Sequence, residues 1–496
     1  MSGMKKLAKE TAIYGLSSIV GRFLNWGLVP IYTRVLASTG EYGVVTNLYS
    51  WTAFLLVLLT YGMETGFFRF ANKTELDAKN VYSTTLSSVG ITSLLFVVVG
   101  LLFSPQIAGL LGYGVKTDFV AMLVVIVAMD AFSAIPFAYL RYKNRPLRFA
   151  SIKMIFIFLN IATNLFFLIL CPHLHKSHPE WISWFYNPDY SVGYILVSNV
   201  ISTFITLLFL APEIFIFKPR LDWPLLRQML KYSLPLLVLG IAGILSQTVD
   251  KILFPYLIPD KSSAMAQLGI YGANFKIAVV MVMFTQAFRF AYEPFVFAKN
   301  KGEDHKKVYA DAMKYFIIIS LLIFLGIMFY MDILKYIIDP SYFEGLNVVP
   351  IVMLGQFVFG VYFNLSIWYK LIDETKWGAY FSIIVCTLTV VLNVALVPTF
   401  GYMGSAWAAL ISNIVIMIVS YFMGHKKFPI AYEYRRILIY VLLTTVLYSL
   451  FLLVDLHSFG LNLTFRTVLL AIFITYMVKK DLPLSAIPIL NKLVKR

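Results

Sequence analysis

Gly40-Glu41-Tyr42-Gly43 opens an apolar run that continues through Val57-Leu58-Leu59, and 229 residues further on Gly269-Ile270-Tyr271-Gly272 opens another. The same offset sets Glu64 on Glu293, Phe68 on Phe297, Arg141 on Lys370 and Asn164 on Asn393. Upstream, with four extra residues in the second copy's loop, Gly15 falls on Gly240, Asn25 on Asp250 and Pro30 on Pro255. The chain is therefore two related copies of one helical unit. Each copy holds an even number of apolar runs, so both start with the same orientation and the repeats are parallel.

The composition around this repeat excludes a soluble protein. Of 496 residues, 60% are hydrophobic and 13% charged, about half the charged share of a soluble domain. Apolar runs of about 20 residues, the length of a membrane-crossing helix, follow one another from 11–36 to 462–478. The expected fold class is an all-α polytopic membrane protein of about 14 transmembrane helices. Six-helix lobes are expected at 1–212 and 231–425, joined by an amphipathic cytoplasmic linker at 213–230. Two additional transmembrane helices at 437–478 and a basic cytoplasmic tail at 479–496 complete the chain. Lys5 and Lys6 imitate a signal peptide, but Arg22 and Asn25 interrupt the apolar stretch, so it is expected to stay as the first span.

Such short loops leave no room for a soluble catalytic domain, and no enzymatic activity is expected. The 41 Lys and Arg exceed the 25 Asp and Glu by 16. These cations cluster in every second gap between apolar runs, as at Arg141/Lys143/Arg145/Arg148 and Lys299/Lys301/Lys306/Lys307. That pattern is the bias of Lys and Arg for the cytoplasmic side, with both termini inside, and not the basic domain of a nucleic-acid binder. Cys171 and Cys386 are the only cysteines, which supports neither a disulfide framework nor a cysteine metal site. His173, His175 and His178 share an outer loop without the usual ligand spacing, so no metal is expected.

A charge within the bilayer costs at least ~2.5–3.5 kcal/mol, so each should face a partner or a wet cavity. Arg22, Arg34, Lys251, Lys276 and Arg289 are the candidate cations for binding an anionic headgroup, Arg offering a fork and Lys a mobile point charge. Glu64, Asp130, Asp250 and Glu293 are candidates for carrying a coupling ion, H+ or Na+. Arg289 stands four residues before Glu293, a spacing that suits an intrahelical ion pair equally well. Lys251 follows Asp250, about 100° further round a helix, so the two should meet different partners. Asn160 and Asn164 share a helix face and suit interhelical hydrogen bonding or contact with a sugar. Arg466 should snorkel to the headgroups. Paired breakers in the first span of each copy, Gly15, Gly21, Gly27 and Pro30 against Pro235, Gly240, Gly243 and Pro255, mark where a transporter places its central site.

Several stretches carry a family resemblance. Arg34-Val-Leu-Ala-Ser-Thr-Gly-Glu-Tyr-Gly43 resembles the passage after the first span of bacterial polysaccharide transporters, the Wzx-type lipid-linked oligosaccharide flippases, with Ala37-Ser38 where that family usually has Gly-Pro. Lys231-Tyr-Ser-Leu-Pro-Leu236, Asp250-Lys251, Gly269 through Ala278, and Asn393 through Pro398 with Gly401 and Gly404 resemble its second-lobe signatures. The resemblance covers residues 5–425. It implies the fold of the multidrug/oligosaccharidyl-lipid/polysaccharide (MOP) exporter superfamily, MATE-like, with two six-helix bundles exchanging inward- and outward-open states. The implied function is translocation of an undecaprenyl-pyrophosphate-linked oligosaccharide, an O-antigen, capsule or exopolysaccharide repeat unit, across the bacterial cytoplasmic (inner) membrane by ion-coupled alternating access. A polysaccharide polymerase is a candidate partner, and no cofactor is implied. The alternatives are a peptidoglycan-precursor (lipid II) flippase, a MATE-type multidrug exporter with an anionic cavity, and a membrane-embedded polymerase or glycosyltransferase, which would want a larger outer loop or a donor-binding domain.

Overall fold

The computed structural model describes residues 20–481 apart from 22, 74, 115, 300–304 and 373. Among them, 13 helices are long and apolar enough to cross a membrane, and there is no strand. Residues 11–19 of the expected first span, Arg22 and most of the basic tail lie outside the described residues.

In chain order the main helices are α1 (Val29–Val35), α2 (Thr39–Thr60), α3 (Met63–Ala71), α4 (Ala78–Leu102), α5 (Thr117–Tyr142), α6 (Pro146–Leu165), α7 (Ser191–Ile214) and α8 (Trp223–Leu257). They continue as α9 (Lys261–Lys299), α10 (His305–Phe329), α11 (Val348–Leu365), α12 (Lys376–Phe400), α13 (Tyr402–Lys427), α14 (Tyr434–Leu453) and α15 (Phe459–Lys480). Their starts are written in the sequence. Ser38 accepts a hydrogen bond from the Glu41 backbone N–H, and Glu41 Oε2 accepts one back from the Ala37 N–H, a reciprocal cap on α2. Gly62, in the left-handed region at φ 71°, turns α2 into α3.

The chain divides into two compact units, Met1–Ala273 with Ser382–Ser405, and Asn274–Phe381 with Ala406–Arg496. Within the first, residues 223–230 of the stretch expected as an interfacial linker open α8, and their apolar side meets protein. Leu225, Leu226 and Met229 are buried against Phe67, Phe70, Tyr82 and Tyr139, each such side chain contributing about 1.5–3 kcal/mol relative to exposure. Trp223 stays exposed. Asp222 caps this helix through the Leu225 N–H at 3.1 Å and accepts from Asn80 Nδ2 at 2.8 Å. The Asn80 bond first, then the Leu225 bond, hold the Asp222 carboxyl below the usual aspartate value. The stabilisation is therefore present above that value and is lost as pH falls through the depressed one. Asp222→Ala is expected to lower the thermal midpoint at pH 7 and to flatten its decline below pH about 4. A decline as steep as wild type would remove Asp222 from this role.

In the second unit, polar pairs pin the two C-terminal helices onto α10 at both of its ends. The buried Lys314 donates to Glu433 Oε1 at 2.7 Å and Asp311 Oδ1 at 3.1 Å. Near the other end Arg466 bonds Asp332. Arg466 thus serves as a tether between helices, Asp332 lying within its reach just past α10.

Candidate functional site

The two copies of the Gly-x-Tyr-Gly motif, 229 residues apart, pack on each other where α2 crosses the first turns of α9, inside the first unit. A Cβ on Gly269 would stand 1.8 Å from the Thr39 carbonyl oxygen and 2.9 Å from the Gly43 nitrogen. One on Gly43 would stand 1.9 Å from the Met265 carbonyl oxygen. Backbone touches backbone there, which only glycine permits. Tyr42 and Tyr271, the central tyrosines of the two copies, are both buried.

About one turn deeper lies a polar cluster. Tyr113 OH donates to Asn47 Oδ1 at 2.6 Å, and Asn47 Nδ2 donates to the Lys251 carbonyl oxygen at 2.8 Å, tying α2 to α8. Lys251 Nζ and Tyr271 OH both donate to Asp250 Oδ2 at 2.8 Å. Asp250 is 5% exposed, and its Oδ1 has no hydrogen-bond partner among the described residues. The ammonium also lies 5.3 Å from the centre of the Tyr271 ring. Adjacent residues thus share one partner, against the expectation from helix geometry: the Lys stem is long enough to curl back across the 100° that separates the two Cα–Cβ directions.

Asp130 occupies a different place in the same unit, lining a cavity of about 210 Å³ with Tyr49, Thr52 and Asn199 among apolar neighbours from α2, α5 and α7. A hydrogen-bond chain runs beside it. Tyr32 OH donates to Asn164 Oδ1, Asn164 to the Asn160 carbonyl, Asn160 Nδ2 to Asn199 Oδ1 at 3.2 Å, and Asn199 Nδ2 to Tyr49 OH at 3.0 Å. The Asn160–Asn199 bond joins α6 to α7. Lys153 on α6 interacts electrostatically with Asp130 and rests 4.0 Å over the Phe137 ring. Sequence reasoning passed over Lys153 because it stands close to the basic gap after α5. Its spacing from Arg148, more than a turn into the apolar run, was the available signal.

The remaining candidates are dispersed. Glu64 bonds Arg141, which also faces the Phe68 and Phe149 rings. Arg34 is exposed, and its Nη1 donates to the Pro30 carbonyl at 2.8 Å. In the second unit Lys276 is half-buried and Arg289 lies 4.8 Å over the Phe363 ring. Arg22 and the Glu293 side chain lie outside the described residues. Chemically, the helices offer ammonium and guanidinium groups at membrane depth for phosphate oxygens, and carboxylates in low dielectric for a small cation.

Residues 7–290 match the family of polysaccharide biosynthesis proteins. No curated protein matches the chain. Among solved structures, lipid II flippase MurJ in an inward closed conformation superposes with a TM-score of 0.70 at 14% identity, covering 94% of this chain and 98% of that one. An inward-facing MATE-family multidrug resistance transporter of the MOP superfamily gives 0.64 at 15% identity, over 82% and 94%. A MATE protein in a bent conformation gives 0.54 at 15% identity, over 90% and 99%. At these identities the likeness establishes the fold.

Proposed function

We propose that this chain, which belongs to the family of polysaccharide biosynthesis proteins, is a flippase that carries a polyprenyl-pyrophosphate-linked oligosaccharide from the inner to the outer leaflet of a bacterial cytoplasmic membrane. The basic loops then face the cytoplasm, and the Gly43–Gly269 crossing, at the charge-poor end, faces outward. The observation that carries the reading is the family match combined with cations held inside long apolar helices, Lys251, Lys276 and Arg289 foremost. A pyrophosphate entering low dielectric loses hydration worth many kcal/mol, and fixed cations replace it. Translocation requires no covalent chemistry, only alternating access to the two leaflets.

Among the carboxylates, Asp130 is the best placed to take up a coupling H+ or Na+, because it lines a cavity, whereas Glu64 is engaged by Arg141. A polysaccharide polymerase receiving the product is the partner this reading implies.

The test is leaflet-resolved transport in proteoliposomes, with lipid-linked oligosaccharide, lipid II and a cationic drug as parallel substrates. Transport of the oligosaccharide lipid is expected. Transport of lipid II or of the drug alone would overturn the assignment. Asp130→Asn is expected to reduce gradient-driven transport about tenfold while leaving binding of the lipid intact. Full gradient dependence in that variant would remove Asp130 from coupling.

A further inference from the structure

The crossing of α2 with α9 and the cluster beneath it form two layers of one closure. The upper layer is backbone against backbone at Gly43 and Gly269, with no space for side chain or water. The lower layer is a mostly buried ion pair, and it is incompletely satisfied. Lys251 and Tyr271 crowd onto Asp250 Oδ2, while the buried Oδ1 has no partner among the described residues. A buried pair holds firmly only when the remaining lone pairs are also hydrogen-bonded, so this one is open to competition for its ammonium.

We propose that the glycine crossing and the Asp250–Lys251–Tyr271 cluster are the outer gate, and that Lys251 releases it by leaving Asp250 for a phosphate oxygen of the cargo. This rests on the flippase reading and deepens it, since it makes cargo recognition and outward opening one event. A pyrophosphate presents more negative charge and more acceptor oxygens than the half-used carboxylate. Once the ammonium departs, Asp250 is a buried charge with one phenol for company, which is costly unless water reaches it. Water enters only if α8 and α2 part from α9, and that parting is the opening. The Asn47 bond to the Lys251 carbonyl and the Tyr113 bond to Asn47 transmit the strain to α2 and to the segment before α5. The cargo thereby binds the open state more tightly than the closed one, the condition for any ligand to shift such an equilibrium.

Two measurements on the full-length chain, in a Cys171→Ser/Cys386→Ser background, test this. A Cβ on Gly40 would lie 3.8 Å from the Ala266 nitrogen, so Gly40→Cys with Ala266→Cys should cross-link on oxidation and stop transport until reduced. Ser50→Cys supplies a reporter, because Ser50 is buried and follows Gly43, Thr46 and Asn47 on one face of α2. An impermeant maleimide added outside should label it slowly, and about tenfold faster once polyprenyl pyrophosphate is present. Lys251→Gln should abolish that acceleration, and Lys251→Arg should keep it. A labelling rate that ignores the lipid in the Lys251 protein, or acceleration that survives in Lys251→Gln, would overturn the release mechanism. Equal labelling of the cross-linked and reduced forms would overturn the gate. Labelling needs neither sugar nor transport, so a chain that responds to pyrophosphate yet moves no oligosaccharide lipid would fault the flippase reading and leave the gate standing.

Discussion

Lys251→Ala is expected to destabilise the protein by about 3–5 kcal/mol, the cost of removing one partner from a buried ion pair, and to abolish transport. Both side chains are mostly shielded, at 12% and 6% exposure, so solvent screening does little to soften the loss. What remains is the Asp250 carboxylate with a single hydrogen bond from Tyr271. The expectation is asymmetric. Asp250→Asn on its own leaves Lys251 Nζ near the Gln247 carbonyl oxygen, at 3.4 Å, and costs less, and added to Lys251→Ala it should restore part of the lost stability by removing the stranded charge. Thermal unfolding in detergent across the double-mutant cycle measures this, with a coupling energy of about 0.5–3 kcal/mol between contacting residues. Strict additivity of the two substitutions would refute the pairing.

Gly269→Val should be the other severe change, and for a different reason. Its new carbon would overlap the Thr39 carbonyl and press on the Gly43 nitrogen. Neither neighbour is a side chain that can swing away, so the helices must separate or the chain must fail to fold, at a cost toward or beyond the upper end of the roughly 1–3 kcal/mol usual for overpacking. Gly326 is the internal comparison. It sits in α10, where a Cβ would meet no atom within 4 Å, and Gly326→Ala should stabilise by about 0.5–1 kcal/mol through helix propensity alone. Midpoints shifted in the same direction by the two substitutions would show that packing at the crossing is not what glycine serves.

The helical class and 13 of the roughly 14 expected spans were legible in the sequence, because hydropathy is a one-dimensional property. Contacts were less so. A repeat reveals kinship, and nothing in it announces that the two motifs would touch each other. Glu64 and Arg141 are 77 residues apart, and their pairing depends on how α3 meets α5, which spacing along one helix cannot give. The Asp250–Lys251 pair was misjudged because an angle between Cα–Cβ directions ignores four flexible methylenes. Asp130 was identifiable as a charge in a span, but its cavity is formed jointly by α2, α5 and α7. Lys153 was missed because proximity to a basic loop conceals a lysine that belongs to the helix interior.

The unbroken course of α8 has a mechanical consequence. Its 35 residues amount to a rod of about 50 Å, bolted among aromatic rings at the Leu225–Met229 end and carrying Asp250 and Lys251 near its far tip. A tilt of about 10° at the bolted end would swing that tip by roughly 9 Å, and the helix is the lever arm. Whatever lipid or protein presses on the Leu225–Met229 foot of this rod is therefore felt at its Asp250–Lys251 end through leverage alone, without a chain of intermediary side chains to carry the message.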